Sequence, residues 1–224
     1  MDQKSIYFPF AAYDRKIHAL KSSFKNYQMA EGCYDNRGNE CAVPYETAKP
    51  YLKHAIDWMW YLFCSPAEYG RCDFSTFSNL ELFFLLRERA ELCLVVPWKN
   101  MEQEYRNALL AYHPELAESL SQLQALSGDH WQKILQLHPQ YIIYLPEQKL
   151  SNDNWQVILE EHPELAQYCD FSLLQIDNWY QLLKVQIGLL PFCPENVLNE
   201  LTENPENELF IIHPELRKIF CQKK

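Results

Sequence analysis

Cysteine and histidine are the residues of this chain whose side chains could do metal or nucleophilic chemistry. The 224 residues include eight cysteines and seven histidines. Four of the cysteines lie near His54 in the sequence and could form a closed zinc site, namely Cys33, Cys41, Cys64 and Cys72. Their spacings of eight, 23 and eight residues lack the Cys-x-x-Cys pair that is typical of such sites. The sequence therefore predicts no metal. A metal-dependent protein or enzyme with its site in residues 1–72 is kept as an alternative.

Other residue patterns that signal catalysis are missing from the sequence. The five glycines are scattered, so no glycine-rich loop is available to hold a phosphate. Neither a Gly-x-Ser-x-Gly elbow nor a His-Glu-x-x-His motif is present. We therefore expect a protein that is not an enzyme and needs no cofactor.

Four histidines share one sequence context, because each stands directly before a proline: His113, His138, His162 and His213. Such a row could bind a ligand, a metal ion or an acidic partner, and this binding could depend on pH because histidine titrates near neutrality. A structural role is favoured, since Ser65 holds the same place before Pro66 and serine is a preferred helix cap. The row is thus predicted to satisfy backbone N–H groups at helix starts.

The histidines recur because the sequence repeats about every 24 residues from residue 57 onward. An apolar pair marks each repeat, and we call its second residue the phase mark: Leu62, Leu86, Leu110, Leu135, Leu159, Leu183 and Phe210. The position ten residues after each phase mark is also apolar, and Cys72, Cys169 and Cys193 occupy three of these positions. Buried cysteines behave as small core residues, so we expect reduced thiols inside the repeats.

The spacing within one repeat predicts helices. Trp155, Ile158 and Leu159 lie at positions i, i+3 and i+4, on one face of a short helix. Pro163 is expected to end that helix and to open a second, since its fixed φ suits the first helical position. Two such short helices cannot stand alone, so neighbouring units must cover their apolar stripe. The predicted fold is an all-α solenoid of about seven helix pairs.

Two further features bear on this predicted fold. The stretches 94–96 and 141–144 are rich in β-formers and could supply one strand per unit, as in a leucine-rich-repeat-like α/β solenoid. Residues 1–49 lack the repeat and are interpreted as an N-terminal cap or arm. Residues 50–224 are assigned to the solenoid.

The repeat resembles a short bacterial tandem repeat of uncharacterised function. That repeat has a Trp-x-x-Leu-Leu core, a Pro-Gln/Glu-Phe/Leu-Ala step and a Cys-Asp-Trp-Ser link. The matching residues are Trp155, Ile158, Leu159, Pro163, Leu165, Ala166, Cys169, Asp170 and Ser172. Phe74 and Phe171 stand where the repeat usually has its second tryptophan. The resemblance covers residues 50–224 and implies an architecture without any catalytic residue.

The charge of the chain is concentrated in the repeats. The net charge is −10, and residues 1–49 carry +1, which leaves −11 on residues 50–224. An acidic surface repels nucleic acid and attracts basic proteins. No apolar run is long enough to span a membrane, and the N-terminal residues lack the apolar stretch of a signal peptide. We therefore expect a cytoplasmic protein that binds neither nucleic acid nor a membrane directly.

These patterns favour a non-enzymatic protein-binding repeat module whose partner has a basic surface. The candidate binding residues are the acidic pair Glu160 and Glu161, together with His113, His138, His162 and His213. An inhibitor or immunity protein that blocks a nucleic-acid-processing enzyme is the alternative, with a toxin nuclease or a host-defence enzyme as its target. The physical basis is that an acidic chain can compete for a nucleic-acid-binding groove.

Overall fold

The computed structural model describes residues 44–202, 208–214 and 216. We number its α-helices α1 to α10 in chain order: Tyr45–Ala48, Ala55–Cys64, Asn79–Glu88, Gln103–Tyr112, Leu120–Gln124, Gly128–Leu137, Asn152–Glu161, Ile176–Val185, Glu195–Thr202 and Leu209–Ile212. No β-strand occurs in these residues. The predicted all-α class is confirmed, and the leucine-rich-repeat-like alternative is wrong. Most of the predicted N-terminal cap, including Cys33 and Cys41, lies outside the described residues.

The chain divides into two compact units between Ala117 and Glu118. In the first unit, α2 packs on α3 and α3 packs on α4. In the second unit, α6 packs on α7, α7 on α8, and α8 on both α9 and α10. Neighbouring repeats therefore cover one another within each unit, as the solenoid prediction requires. None of the helices described is long and apolar enough to cross a membrane.

Six of the helices are copies of one design. Each of α2, α3, α4, α6, α7 and α8 is ten residues long, and the phase mark is its eighth residue. These six phase marks are at most 4 % exposed, and the apolar residue before each is fully buried. Trp131, Trp155 and Trp179 are buried beside them. The apolar pair therefore belongs to the core, as predicted, and these three tryptophans pack in it. Trp58, at the same phase in α2, is half-buried.

The second element of each repeat is a short 3-10 helix. The six copies are Pro66–Arg71, Ala90–Leu94, Pro114–Leu116, Pro139–Tyr144, Pro163–Tyr168 and Ile187–Phe192. The residues 141–144, which suggested a strand, belong to one of them. A 3-10 helix is the tighter form that proteins use for pieces of this length.

The ends of the ten-residue helices share one backbone conformation. The residue that follows each helix has φ between −140° and −125° and ψ between 63° and 73°. Proline comes next in four copies, whereas Ala90 and Ile187 take its place in the other two. The helix therefore ends in the same way without proline, so proline is not the cause that the sequence suggested.

The start of α7 shows how the first turns are fixed. The Ser151 hydroxyl accepts a hydrogen bond from the Asn154 backbone N–H at 3.2 Å, and Asn154 Oδ1 accepts from the Ser151 backbone N–H at 3.1 Å. This reciprocal pair is a capping box, and it satisfies two backbone donors at the start of the helix. The same arrangement is present in α2, α3 and α8.

Asn154 also ties its repeat to the one before it. Its Nδ2 donates to Gln132 Oε1 at 2.7 Å and to Asp129 Oδ1 at 3.1 Å. Asn178 makes the same pair of bonds one repeat later, to Gln156 at 2.8 Å and Asp153 at 3.3 Å. Both asparagines are buried. Buried polar groups with all their bonds made fix one register between neighbouring helices.

The phase-mark assignment predicts where a truncation is costly. Replacing the fully buried Leu159 with alanine should lower the free energy of unfolding by about 2–5 kcal/mol, because it leaves a cavity in the core. The matched control is Gln181→Ala, which alters an exposed residue of α8 and should change stability by less than about 0.5 kcal/mol. Urea unfolding followed by circular dichroism measures both. Equal losses would show that the phase marks are misassigned.

Candidate protein-binding surface

Three histidines of the row contact the preceding repeat, in a way that differs from the predicted helix cap. His162 makes no capping hydrogen bond at the start of its 3-10 helix. Its Nε2 lies 2.9 Å from the carbonyl oxygen of Gln136, in the last turn of the preceding repeat's helix. His113 reaches the Arg87 carbonyl at 2.7 Å in the same way, and His213 reaches the Lys184 carbonyl at 3.2 Å.

Residues of other types make the same bond where histidine is replaced. Gln186 donates from Nε2 to the Glu160 carbonyl at 2.7 Å, and Arg89 donates from Nε to the Phe63 carbonyl at 2.7 Å. The accepting carbonyl always belongs to the residue after a phase mark. We call this set of bonds the side-chain ladder. Because the last four carbonyls of an α-helix lack a partner inside the helix, the ladder caps α2, α3, α6, α7 and α8 with a donor from the next repeat.

The predicted cap at helix starts is therefore wrong, since the side chain serves the end of a helix 26 residues earlier. The other ring nitrogen is also engaged in two copies. His113 Nδ1 lies 3.1 Å from Glu115 Oε1, and His162 Nδ1 lies 3.1 Å from Glu164 Oε1. Both ring nitrogens of these two histidines therefore contact protein atoms. The remaining member, His138, packs edge to face on Tyr141.

Four cysteines of the described residues have thiols with a raised pKa. Burial raises the pKa of the thiols of Cys72, Cys93, Cys169 and Cys193 to about 12. Thiols with such a pKa stay protonated at neutral pH, whereas nucleophiles and metal ligands must be thiolates. The described residues also contain no cluster of three His, Cys, Asp or Glu side chains that could hold a metal ion.

The acidic pair at the end of α7 is divided by the fold. Glu161 is exposed, and its Oε1 accepts a hydrogen bond from Gln136 Nε2 at 2.7 Å. Glu160 is half-buried, and its Oε1 accepts from Gln156 Nε2 at 3.0 Å. Glu161 is thus the member of the pair that presents its charge to solvent.

The excess acid is concentrated in the second unit. Residues 118–202 contain eleven Asp and Glu against three Lys, a net charge of −8. Residues 44–117 contain ten Asp and Glu against seven Lys and Arg, a net charge of −3. The second unit is therefore the stronger candidate for recruiting a basic partner.

Three exposed aromatic residues occupy one phase in three consecutive repeats. Tyr144, Tyr168 and Phe192 each lie nine residues after a phase mark and are 43 %, 48 % and 46 % exposed. Each is the last residue of its 3-10 helix, and the 3-10 helices of the second unit pack on one another. We call these residues the aromatic row. Exposed aromatic side chains in line are typical of protein interfaces.

Acidic residues follow the aromatic row along the chain. Glu147, Asp170 and Glu195 come two or three residues after its members, and all three are exposed. Hydrogen bonds from the hydroxyl and the backbone N–H of Ser172 lower the pKa of Asp170, which keeps that carboxylate charged. The periodicity of the buried residues does not single out the row or its acids. The phase nine residues after the mark would have revealed them.

Comparison with protein-family models, curated proteins and solved structures gives no match for this chain. The side chains described above are therefore the basis for a functional interpretation.

The side-chain ladder predicts that two substitutions of His162 differ in their effect on the free energy of unfolding. Alanine removes the donor and leaves the Gln136 carbonyl unsatisfied, so the free energy of unfolding should fall by about 1–3 kcal/mol. Glutamine, which makes this bond naturally at position 186, should retain most of the stability. Urea unfolding of the two variants at one pH measures the difference. If glutamine costs as much as alanine, the ladder bond is not what His162 contributes.

A buried histidine in α6 predicts a pH dependence of stability. The pKa of His130 is lowered from 6.5 to about 4, mainly by burial, while Asp129 acts to raise it and the nearby Lys149 to lower it. The unfolded chain keeps the ordinary pKa, so it binds more protons than the folded chain between these two values. Stability is therefore full above pH 6.5 and falls towards pH 4, by up to about 3 kcal/mol.

Asparagine is the matched substitution for this test, because Asn154 and Asn178 hold the position of His130 in the next two repeats. The difference in unfolding free energy between His130→Asn and the parent chain should grow in favour of the variant as pH falls from 6.5 to 4. Denaturant titrations across this range measure it. A constant difference would show that His130 titrates normally.

Proposed function

We propose that the chain is a non-enzymatic protein-binding module whose second unit recognises a basic segment of a partner protein. The observation that carries this proposal is the aromatic row, with Glu147, Asp170 and Glu195 following its members along the chain. Aromatic anchors supply contact area at an interface, whereas surrounding charges select the partner and speed the encounter.

The regularity of the row separates it from ordinary surface exposure. Single exposed apolar residues are normal in any protein and need no explanation. Here the same phase is aromatic and exposed in three repeats in succession, on 3-10 helices that pack on one another. Exposed apolar patches bordered by polar groups mark interaction sites.

The spacing of the repeats supports an extended partner segment. Packed helices lie about 8–10 Å apart, and an extended chain rises about 3.3 Å per residue. Every third residue of an extended segment would therefore meet an equivalent site on the next repeat. A partner with apolar residues at that spacing and Lys or Arg between them fits both the row and its acids.

The net charge of −8 on residues 118–202 favours a protein over a nucleic acid as the partner. Nucleic acids bind through the neutralisation of their phosphates by Lys and Arg, and this stretch offers three lysines. One of them is already committed within the unit, because Lys184 Nζ lies 2.9 Å from Glu208 Oε2.

The proposal predicts how binding responds to substitutions of the row. Partners captured from the source cell by the full chain should be retained by Tyr69→Ser, which alters an exposed tyrosine of the first unit. The double variant Tyr144→Ser with Tyr168→Ser should lose them by about tenfold or more, since interface aromatics are frequent hot spots. Quantitative mass spectrometry of the captured proteins measures this loss. Partners that survive the double variant would show that the row is not the binding surface.

The charge part of the proposal is tested with the purified partner. Neutralising Glu147, Asp170 and Glu195 as Gln, Asn and Gln should slow association more than it changes dissociation, as expected for charges at the rim of an interface. Association should also slow as salt approaches about 0.15 M, where the Debye length is about 8 Å. An association rate that stays the same after neutralisation and in higher salt would exclude electrostatic recruitment.

A further inference from the structure

Two successive links of the second unit differ by one aromatic ring. Phe171 lies twelve residues after its phase mark, and its ring centroid is 5.4 Å from that of Trp179 and 5.3 Å from that of Phe192. Three aromatic rings therefore pack in series in this link. In the preceding repeat the two outer positions are aromatic again, as Trp155 and Tyr168, whereas the middle one is Glu147.

An open groove is lined by Glu147, the residue at that middle position. Its volume is about 400 Å³, and Trp155, Tyr168 and Glu147 all line it. Further apolar walls come from Ile142, Leu145, Leu150 and Leu173. A volume of this size is within the range of sites that hold small ligands, so it is sufficient for one aromatic side chain. The groove is thus lined by Trp155 and Tyr168, the equivalents of the two residues that enclose Phe171 in the next repeat.

The link that forms the groove is held in place by its neighbours. Lys149 Nζ donates to the Gln124 carbonyl at 3.1 Å. The Lys149 carbonyl oxygen comes so close to Gly128 that a Cβ atom there would lie 2.8 Å from it. Gln148 adopts a φ of 54°, in the left-handed region that residues other than glycine seldom occupy. The groove is therefore built by a fixed conformation of the link.

The charges at the groove define what would fill it. Glu147 and Asp170 line it and are exposed, and the hydrogen bonds from Ser172 keep Asp170 ionised. The one cation among the lining residues, Lys149, is directed to the Gln124 carbonyl. An aromatic ring satisfies the apolar walls, and a neighbouring Arg or Lys satisfies the carboxylates.

We propose that this groove receives one aromatic side chain of the partner, flanked by arginine or lysine, in the place that Phe171 fills in the next repeat. The inference rests on the proposed function and specifies which part of the partner the second unit reads. Edge-to-face and offset contacts with Trp155 and Tyr168 would hold the ring, as they hold Phe171 against Trp179 and Phe192.

The test uses the full chain and three short capped peptides: Arg-Phe-Arg, Arg-Ala-Arg and Glu-Phe-Glu. The chain has six tryptophans, so its indole N–H signals in a nitrogen–proton correlation spectrum can be assigned by single Trp→Phe variants. Arg-Phe-Arg should shift the Trp155 signal saturably and leave the Trp179 signal in place. The other two peptides should bind at least about tenfold more weakly, because each lacks either the ring or the cations.

A graft from the chain's own next repeat provides the decisive variant. Replacing Pro146, Glu147 and Gln148 with Asp, Phe and Ser copies the segment Asp170–Ser172 and supplies the missing ring. This graft should abolish the Trp155 shift while the protein remains folded. The matched graft of Asp, Ala and Ser removes the same residues without filling the groove. Because it also lacks Glu147, it should bind Arg-Phe-Arg more weakly than the parent but still shift the Trp155 signal.

Each result bears on the groove separately from the module. If the phenylalanine graft binds Arg-Phe-Arg as the parent does, or if Arg-Ala-Arg binds equally well, the groove does not receive a ring. A captured partner that stays bound to the phenylalanine graft but is lost from the double variant Tyr144→Ser with Tyr168→Ser would overturn the groove and leave the proposed function intact. Loss of the partner from the phenylalanine graft but not from the matched alanine graft would support the groove directly.

Discussion

A ten-residue helix cannot satisfy its own terminal carbonyls, and this constraint governs the rest of the structure. In five of the six ten-residue helices the side-chain ladder meets this need with a donor from the next repeat, as Gln186 donates to the Glu160 carbonyl. At the helix starts, the side-chain amides of Asn154 and Asn178 donate to the preceding repeat. Two polar contacts at opposite ends of a helix fix its register against the next one, which apolar packing alone does loosely.

Fixed register is what turns a repeated sequence into a usable surface. When neighbouring helices cannot slide, residues of equal phase stand side by side, and the last residues of successive 3-10 helices form the aromatic row. A residue that differs from its equivalents in the other repeats then changes the surface at one place only. Glu147 is such a residue, and the groove beside Trp155 follows from it.

The core could be predicted from the sequence because burial leaves a periodic trace. The apolar pair ending at Leu159 and the tryptophan four residues before it were assigned correctly from spacing alone. The role of His162 could not be predicted, since a histidine before a proline resembles a helix cap and its true partner lies 26 residues upstream. The division of Glu160 from Glu161 depends on which side of α7 faces a neighbour. The groove could not be predicted for a different reason, because it results from the absence of an aromatic side chain at position 147.

The ladder also gives the array a direction. Every bond of the ladder runs from a later repeat to an earlier one, as from His113 to the Arg87 carbonyl and from His162 to the Gln136 carbonyl. A cut between two repeats therefore affects the two resulting pieces differently. The piece before the cut loses the side-chain donor for its last helix, whereas the piece after it keeps the donors of its own ladder bonds. We therefore expect the last helix before such a cut to fray first.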